Sequence, residues 1–253
     1  MMPLRTLSAR RYVTPLREGG SLPAIVEADD DGLYVLKFRG AGQGLKVLVA
    51  ETISGELARA AGLDVPPIVA ITLDAELARS EPDPEIQELI RASAGLNFGI
   101  DYLPGSVTFD PVAEKPDAML ASQIVWLDAF LANVDRTARN TNLLVWHRKL
   151  WLIDHGAALY YHHGADDFSG RAEDPFPAIK DHVLLPLATR LAEADAKMAD
   201  LLSPAVIHDV IEQVPTDWLP AERRAAYETF LVRRLAAPRA FAKEAERART
   251  LHV

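Results

Sequence analysis

Asn133–Gly156 reads NVDRTARNTNLLVWHRKLWLIDHG. Asp135 and Arg136 open the stretch, and Asn140 follows five positions after the aspartate. Two short apolar runs, Leu143–Trp146 and Leu150–Ile153, are separated by His147, Arg148 and Lys149, which is the pattern of a β-hairpin. The second run ends on Asp154, with His155 and Gly156 directly after it. One carboxylate and one carboxamide thus precede a hairpin, and a second carboxylate leaves it beside a glycine.

Upstream, Ala118–Ala132 carries Leu120, Ile124, Val125, Leu127, Phe130 and Leu131, dense enough in apolar side chains to predict a buried helix. The first forty residues read as strands and turns. Arg11–Leu16, Ala24–Ala28 and Leu33–Phe38 are the candidate strands, joined by the glycine-bearing loop Arg17–Pro23 and the turn Asp29–Gly32. Alternation puts Leu33, Val35 and Lys37 on one face of the third strand and Tyr34, Leu36 and Phe38 on the other. Leu45–Ala61 predicts a helix stopped by Gly62, with Leu48, Thr52, Leu57 and Ala61 inward. Pro66 and Pro67 break the chain before a strand over Ile68–Leu73. Residues 81–95 read as an insertion or short helix, and Asn97–Leu103 as a further strand.

After the hairpin, residues 155–180 contain Gly164, Gly170, Pro175 and Pro177 and predict a long loop. Residues 181–253 predict two or more amphipathic helices, including Pro220–Leu235. The expected fold is α+β and bilobal: a β-rich N-lobe over about 1–103 and a mainly helical C-lobe over about 104–253.

With 253 residues the chain is long enough for two lobes sharing a cleft. It has no cysteine, which excludes disulfides, zinc-thiolate sites and thiol catalysis. A net charge of −9 argues against broad nucleic-acid binding. No apolar run suits a membrane span, and the opening MMPLRTLSARRYV lacks the apolar core of a signal peptide. The expected location is the cytoplasm.

The residue types and their order suit phosphoryl transfer. That chemistry needs a lysine and metal ions to offset triphosphate charge, and a carboxylate to orient an acceptor hydroxyl and take its proton. Lys37, inside an apolar strand, is the candidate phosphate ligand; on its own it also reads as an edge lysine facing water. Glu51, in the following helix, is its candidate partner, with Glu56 as the competitor. Asp135 is the candidate catalytic carboxylate, though a helix-end carboxylate paired with Arg136 is the plainer reading. Asn140 and Asp154 are the candidate metal ligands; Asn142 is the alternative amide, and turn residues are the alternative reading. Gly19, Gly20 and Ser21 would let backbone amides and a hydroxyl approach phosphates. His162 and His163, followed by Asp166 and Asp167, read as a solvated loop cluster more readily than as a metal site. No serine-hydrolase elbow, Walker A motif or dinucleotide fingerprint is present.

NVDRTARN resembles the catalytic loop of HipA-like kinases, which share an Asp-Arg-x-x-x-Asn pattern with phosphatidylinositol kinases. Glu51–Pro67 (ETISGELARAAGLDVPP) is similar to the helix those proteins place after the lysine strand, and this favours Glu51 over Glu56. The resemblance covers roughly residues 12–185 and implies a bilobal kinase fold, ATP and Mg2+, and phosphorylation of serine or threonine. It implies that Lys37 contacts phosphates, Asp135 is catalytic, and Asn140 and Asp154 bind magnesium. It also places Phe98–Leu103, with Ile100, Asp101 and Tyr102 at its centre, where a hinge meets adenine through its backbone. The chain departs from the family at Thr137, where the family has histidine, and at the Asp-His-Gly turn. A small-molecule or lipid kinase, and a non-catalytic nucleotide-binding module, are the alternative functions. The partners expected are ATP and a protein or small-molecule hydroxyl acceptor.

Overall fold

The computed structural model describes residues 4–16, 22–42 and 44–251. Strands fill the N-terminal part and helices most of the rest, a mixed α/β arrangement. Five strands close into a barrel in the order β1-β2-β3-β5-β4: β1 Arg5–Pro15, β2 Ala24–Ala28, β3 Leu33–Lys37, β4 Ile68–Leu73 and β5 Gly95–Asp101. Neighbours run antiparallel except where β1 meets β4 in parallel, Arg5 opposite Val69 and Ser8 opposite Thr72. β1 starts six residues before the expected Arg11. Only Leu7 and Ala9 alternate within Arg5–Arg10, and the segment is strand because its backbone is paired, Arg5–Ser8 with β4 and Ala9 onward with β2.

The barrel wall sorts its side chains by strand parity. Tyr34, Leu36 and Phe38 join Tyr12, Val26, Val69 and Ile71 in the barrel core. Val35, Ile68, Ala70, Phe98 and Ile100 belong to a second, larger core shared with the helices. The expected faces of the third strand are therefore observed. Lys37 is not on an edge, because β3 lies between β2 and β5, and only 7% of it is exposed.

Helix α1 (Leu45–Ala60) is buried continuously from Leu48 to Ala58, so the four expected inward residues are only part of its contact. Gly55 permits this: a β-carbon there would stand 2.4 Å from Ile68 Cδ1 on β4. Helix α2 (Pro84–Ala92) resolves the uncertain 81–95 segment; Pro84 opens it and Asp83 caps it by accepting from the Glu85 amide at 3.0 Å.

A second sheet, β6 (Val107–Thr108), β7 (Leu143–Trp146) and β8 (Lys149–Leu152), contains the expected hairpin. Helix α3 (Ala118–Phe130) runs between β6 and β7 and is buried from Ala121 to Phe130. Trp126 and Phe130 stack at 5.3 Å, and the Phe241 ring meets Trp126 edge-on at 5.1 Å. Four helices close the chain: α4 Leu191–Leu201, α5 Pro204–Gln213, α6 Ala221–Leu235 and α7 Ala240–Leu251. Residues 155–180 form short 3-10 turns rather than one open loop, pinned by the buried Phe168, Phe176 and Ile179. No helix among the described residues is long and apolar enough to cross a membrane.

Candidate active site

Three residues far apart in sequence meet where the barrel faces α1 and the hairpin exit. Lys37, at the end of β3, points toward α1. Its ammonium donates to Glu51 Oε1 and, at 2.5 Å, to Asp154 Oδ1. Glu51 also accepts through Oε2 from the backbone amide of His155 at 2.9 Å. Glu56 is instead near Arg59, at 3.7 Å, so the competing partner is eliminated by geometry. Gly156 allows the hairpin exit to approach α1: an added β-carbon would lie 2.8 Å from Val47 Cγ1 and 3.0 Å from Glu51 Oε1.

Burial opposes the Lys37 charge, but the Glu51 and Asp154 carboxylates outweigh it and hold its pKa above the ordinary lysine value. Burial raises Glu51 above the ordinary glutamate value, with Lys37 pulling against it. Burial likewise works against Asp154, but Lys37 prevails and its pKa is lowered. One ammonium serving two carboxylates leaves excess negative charge. Asp154 carries it outward, its side chain 47% exposed while that of Glu51 is 1% exposed. Asp154 is held in a left-handed backbone conformation, φ 53°, which aspartate tolerates better than most residues.

Asp135 lies on the loop after α3, half-buried. The Asn140 Nδ2 donates to Asp135 Oδ2 at 2.7 Å, and Asn142 Nδ2 donates to the Asp135 carbonyl at 3.2 Å. A carboxylate only accepts, so both amides turn their nitrogen to Asp135, and the Asn140 oxygen points elsewhere on an exposed side chain. Asp135 Oδ1 has no donor among the described residues. Asn142 is buried, and its carbonyl accepts from Arg136 Nη1 and from the Ile153 amide, the latter at 3.1 Å. Its Nδ2 also reaches Asp135 Oδ2 at 3.4 Å; of the two amides Asn140 is the exposed one.

Arg136 does not pair with Asp135. Its side chain is fully buried and bonds Asp128 Oδ2 through Nε at 2.6 Å. Asp128, inside α3, also accepts from Asn133 Nδ2 at 2.9 Å and bonds His182 Nε2 at 2.9 Å. Burial works against its charge, but Arg136 and then His182 hold its pKa far below the ordinary aspartate value. Nothing in the sequence singled out Asp128 or His182. The usable signal is a lone charged residue in a mostly apolar helix, eight residues before an arginine.

The expected base-binding segment ends β5. The Asp101 amide donates to the Pro67 carbonyl at 2.9 Å and the Tyr102 amide to the Leu33 carbonyl at 3.0 Å. Ile100 is paired on both sides, opposite Val35 and Ile68. All three residues are thus committed within the barrel, whereas the Leu103 amide has no partner among the described residues. Gly19, Gly20 and Ser21 lie outside the described residues. His162 is not solvated: it is 1% exposed, bonded to Tyr227 Oη at 3.0 Å, and its carbonyl accepts from Lys46. No cluster of three histidine or acidic side chains suited to a metal occurs among the described residues. A cation held by one carboxylate, one carboxamide and phosphate oxygens needs no such cluster, and the open Asn140 oxygen and the outward Asp154 carboxylate fit that hard-oxygen set.

A solved Helicobacter pylori proinflammatory kinase, CtkA, is similar in structure with a TM-score of 0.60 and 13% identity, over 99% of each chain. A Golgi casein kinase solved with Mn and ADP bound is similar at a TM-score of 0.51 and 14% identity, covering 95% of this chain and 75% of the other. These likenesses establish a protein-kinase-like fold. No curated protein matches the chain. The family model of HipA-like kinases matches residues 11–237, nearly the whole chain, and the protein belongs to that family.

Proposed function

We propose that this kinase transfers the γ-phosphoryl group of ATP to a serine or threonine hydroxyl, with Mg2+ as the cation. The observation that carries the reading is the convergence of Lys37 on Glu51 and Asp154, residues 14 and 117 positions away. In this reading Glu51 holds Lys37 in place for the α- and β-phosphates. Asp154 and Asn140 hold the cation, which offsets phosphate charge when bound. Asp135 orients the acceptor hydroxyl and receives its proton through the open Oδ1. The free Leu103 amide, beside Asp101 and Tyr102, meets the base, and the lobes divide near residue 103. The preference for a protein hydroxyl rests on the family resemblance.

The test is incubation with ATP and Mg2+, with and without acceptor proteins, followed by intact-mass measurement. A phosphoryl increment on serine or threonine is the expected result. Asp135→Ala should lower the transfer rate by about 10²- to 10⁴-fold while ATP binding persists. A nucleotidyl increment, or undiminished transfer by the variant, overturns the assignment.

A further inference from the structure

Asp135 owes its place to a buried network on the far side of its loop. Resting on the kinase reading above, we propose that His182, acting through Asp128, is a positioning residue for the catalytic loop and couples it to the segment after residues 155–180. His182 is 5% exposed. Its Nδ1 accepts from the Leu184 amide at 3.0 Å, so its proton resides on Nε2 and is donated to Asp128 Oδ2 at 2.9 Å. The same Asp128 oxygen takes the Arg136 Nε–H at 2.6 Å. Arg136 then reaches the carbonyls of Asn142 and Ile153, the latter at 3.4 Å. One carboxylate thereby fixes the residue after Asp135, the strand that follows Asn140, and the residue before Asp154.

The backbone repeats the link. Thr137 pairs with His182 as an isolated β-bridge, and the Val183 amide donates to the Arg136 carbonyl at 3.0 Å. A displacement of the 177–183 segment is thus carried to Arg136 and Thr137, and from there to the adjoining Asp135. Burial keeps the His182 ring neutral against the pull of Asp128, so this is a directional hydrogen bond and not an ion pair.

Glutamine and asparagine separate the two ring nitrogens. In His182→Gln the amide nitrogen can reach Asp128 as Nε2 does, whereas in His182→Asn the amide oxygen replaces Nδ1 and the donor to Asp128 is lost. Steady-state transfer is measured for both and for the wild type, with thermal unfolding and ATP binding as controls. The expected result is a kcat within about 3-fold of wild type for glutamine and lowered about 10-fold or more for asparagine, with the KM for ATP little changed in both. Equal losses in the two variants, or a loss carried by KM, overturn the role. If His182→Asn does not fold, His182→Met, which keeps much of the volume and lacks the donor, takes its place with the same two outcomes. A wild type that transfers nothing overturns the kinase reading and the positioning role with it, whereas an active wild type with unaffected variants overturns only the latter.

Discussion

Lys37 shows how a single side chain acquires its role from its neighbours. Taken alone, a lysine in an apolar strand is an edge residue. Placed between β2 and β5 and against α1, it has nowhere to go but toward Glu51 and Asp154. Glu51→Gln keeps the shape but removes the charge that fixes the ammonium, and should lower kcat/KM by about 10- to 100-fold, read by initial rates at varied ATP. Undiminished kcat/KM would show that Asp154 suffices to hold the lysine. His162 gives a second prediction at this scale. Burial, and then His163 and Lys46, lower its pKa from the ordinary histidine value to about 3. The folded state therefore binds fewer protons than the unfolded state between those values, and stability is full above pH about 6.5 and declines as pH falls through that window. His162→Gln should flatten the unfolding free energy there by up to about 1.4 kcal/mol per pH unit, measured by urea titrations at several pH values. An unaltered slope would show that the group titrates normally.

Among the elements, α1 is the one that close packing places. Gly55 seats it on β4 and Gly156 lets the hairpin exit reach it. Gly55→Ala should destabilise the fold by about 1–3 kcal/mol through overpacking, despite alanine's better helix propensity. Urea unfolding reads this, and a stabilised variant would mean that Ile68 simply turns aside. The helices and the hairpin were legible because their apolar patterns are local: α1, α3, β7 and β8 lie within a few residues of the expected spans. The early half of β1 was not, because Arg5–Arg10 owes its strand to backbone partners that composition does not reveal. The same limit applies to the site. Asp135, Asn140 and Asp154 stand in one readable stretch, and Lys37 and Glu51 in neighbouring ones. Adjacency offers Arg136 as a partner of Asp135, whereas its partner, Asp128, faces it only once the loop after α3 folds back on the helix.

For the whole molecule, Arg234 ties three separate segments together. From α6 its guanidinium donates to the carbonyls of Ala129 and Phe130 at 2.9 and 2.8 Å, capping the end of α3, and to those of Ala172 and Asp174 at 3.0 and 2.8 Å. Burial lowers its pKa to about 10, so it remains charged at neutral pH. Arg234→Met should cost at least about 2 kcal/mol, since it strands several buried carbonyls, and a lowered urea midpoint checks this. An unchanged midpoint would show that those carbonyls find other donors. The closed barrel has a different consequence, for where an incoming peptide can add to the molecule. Because β1 meets β4, each described strand of the N-terminal sheet has a neighbour on either side, which leaves an incoming peptide no edge strand there to extend. Among the described strands β6 and β8 are the edges of the second sheet, so strand addition, if a peptide uses it, belongs to the sheet whose exit carries Asp154.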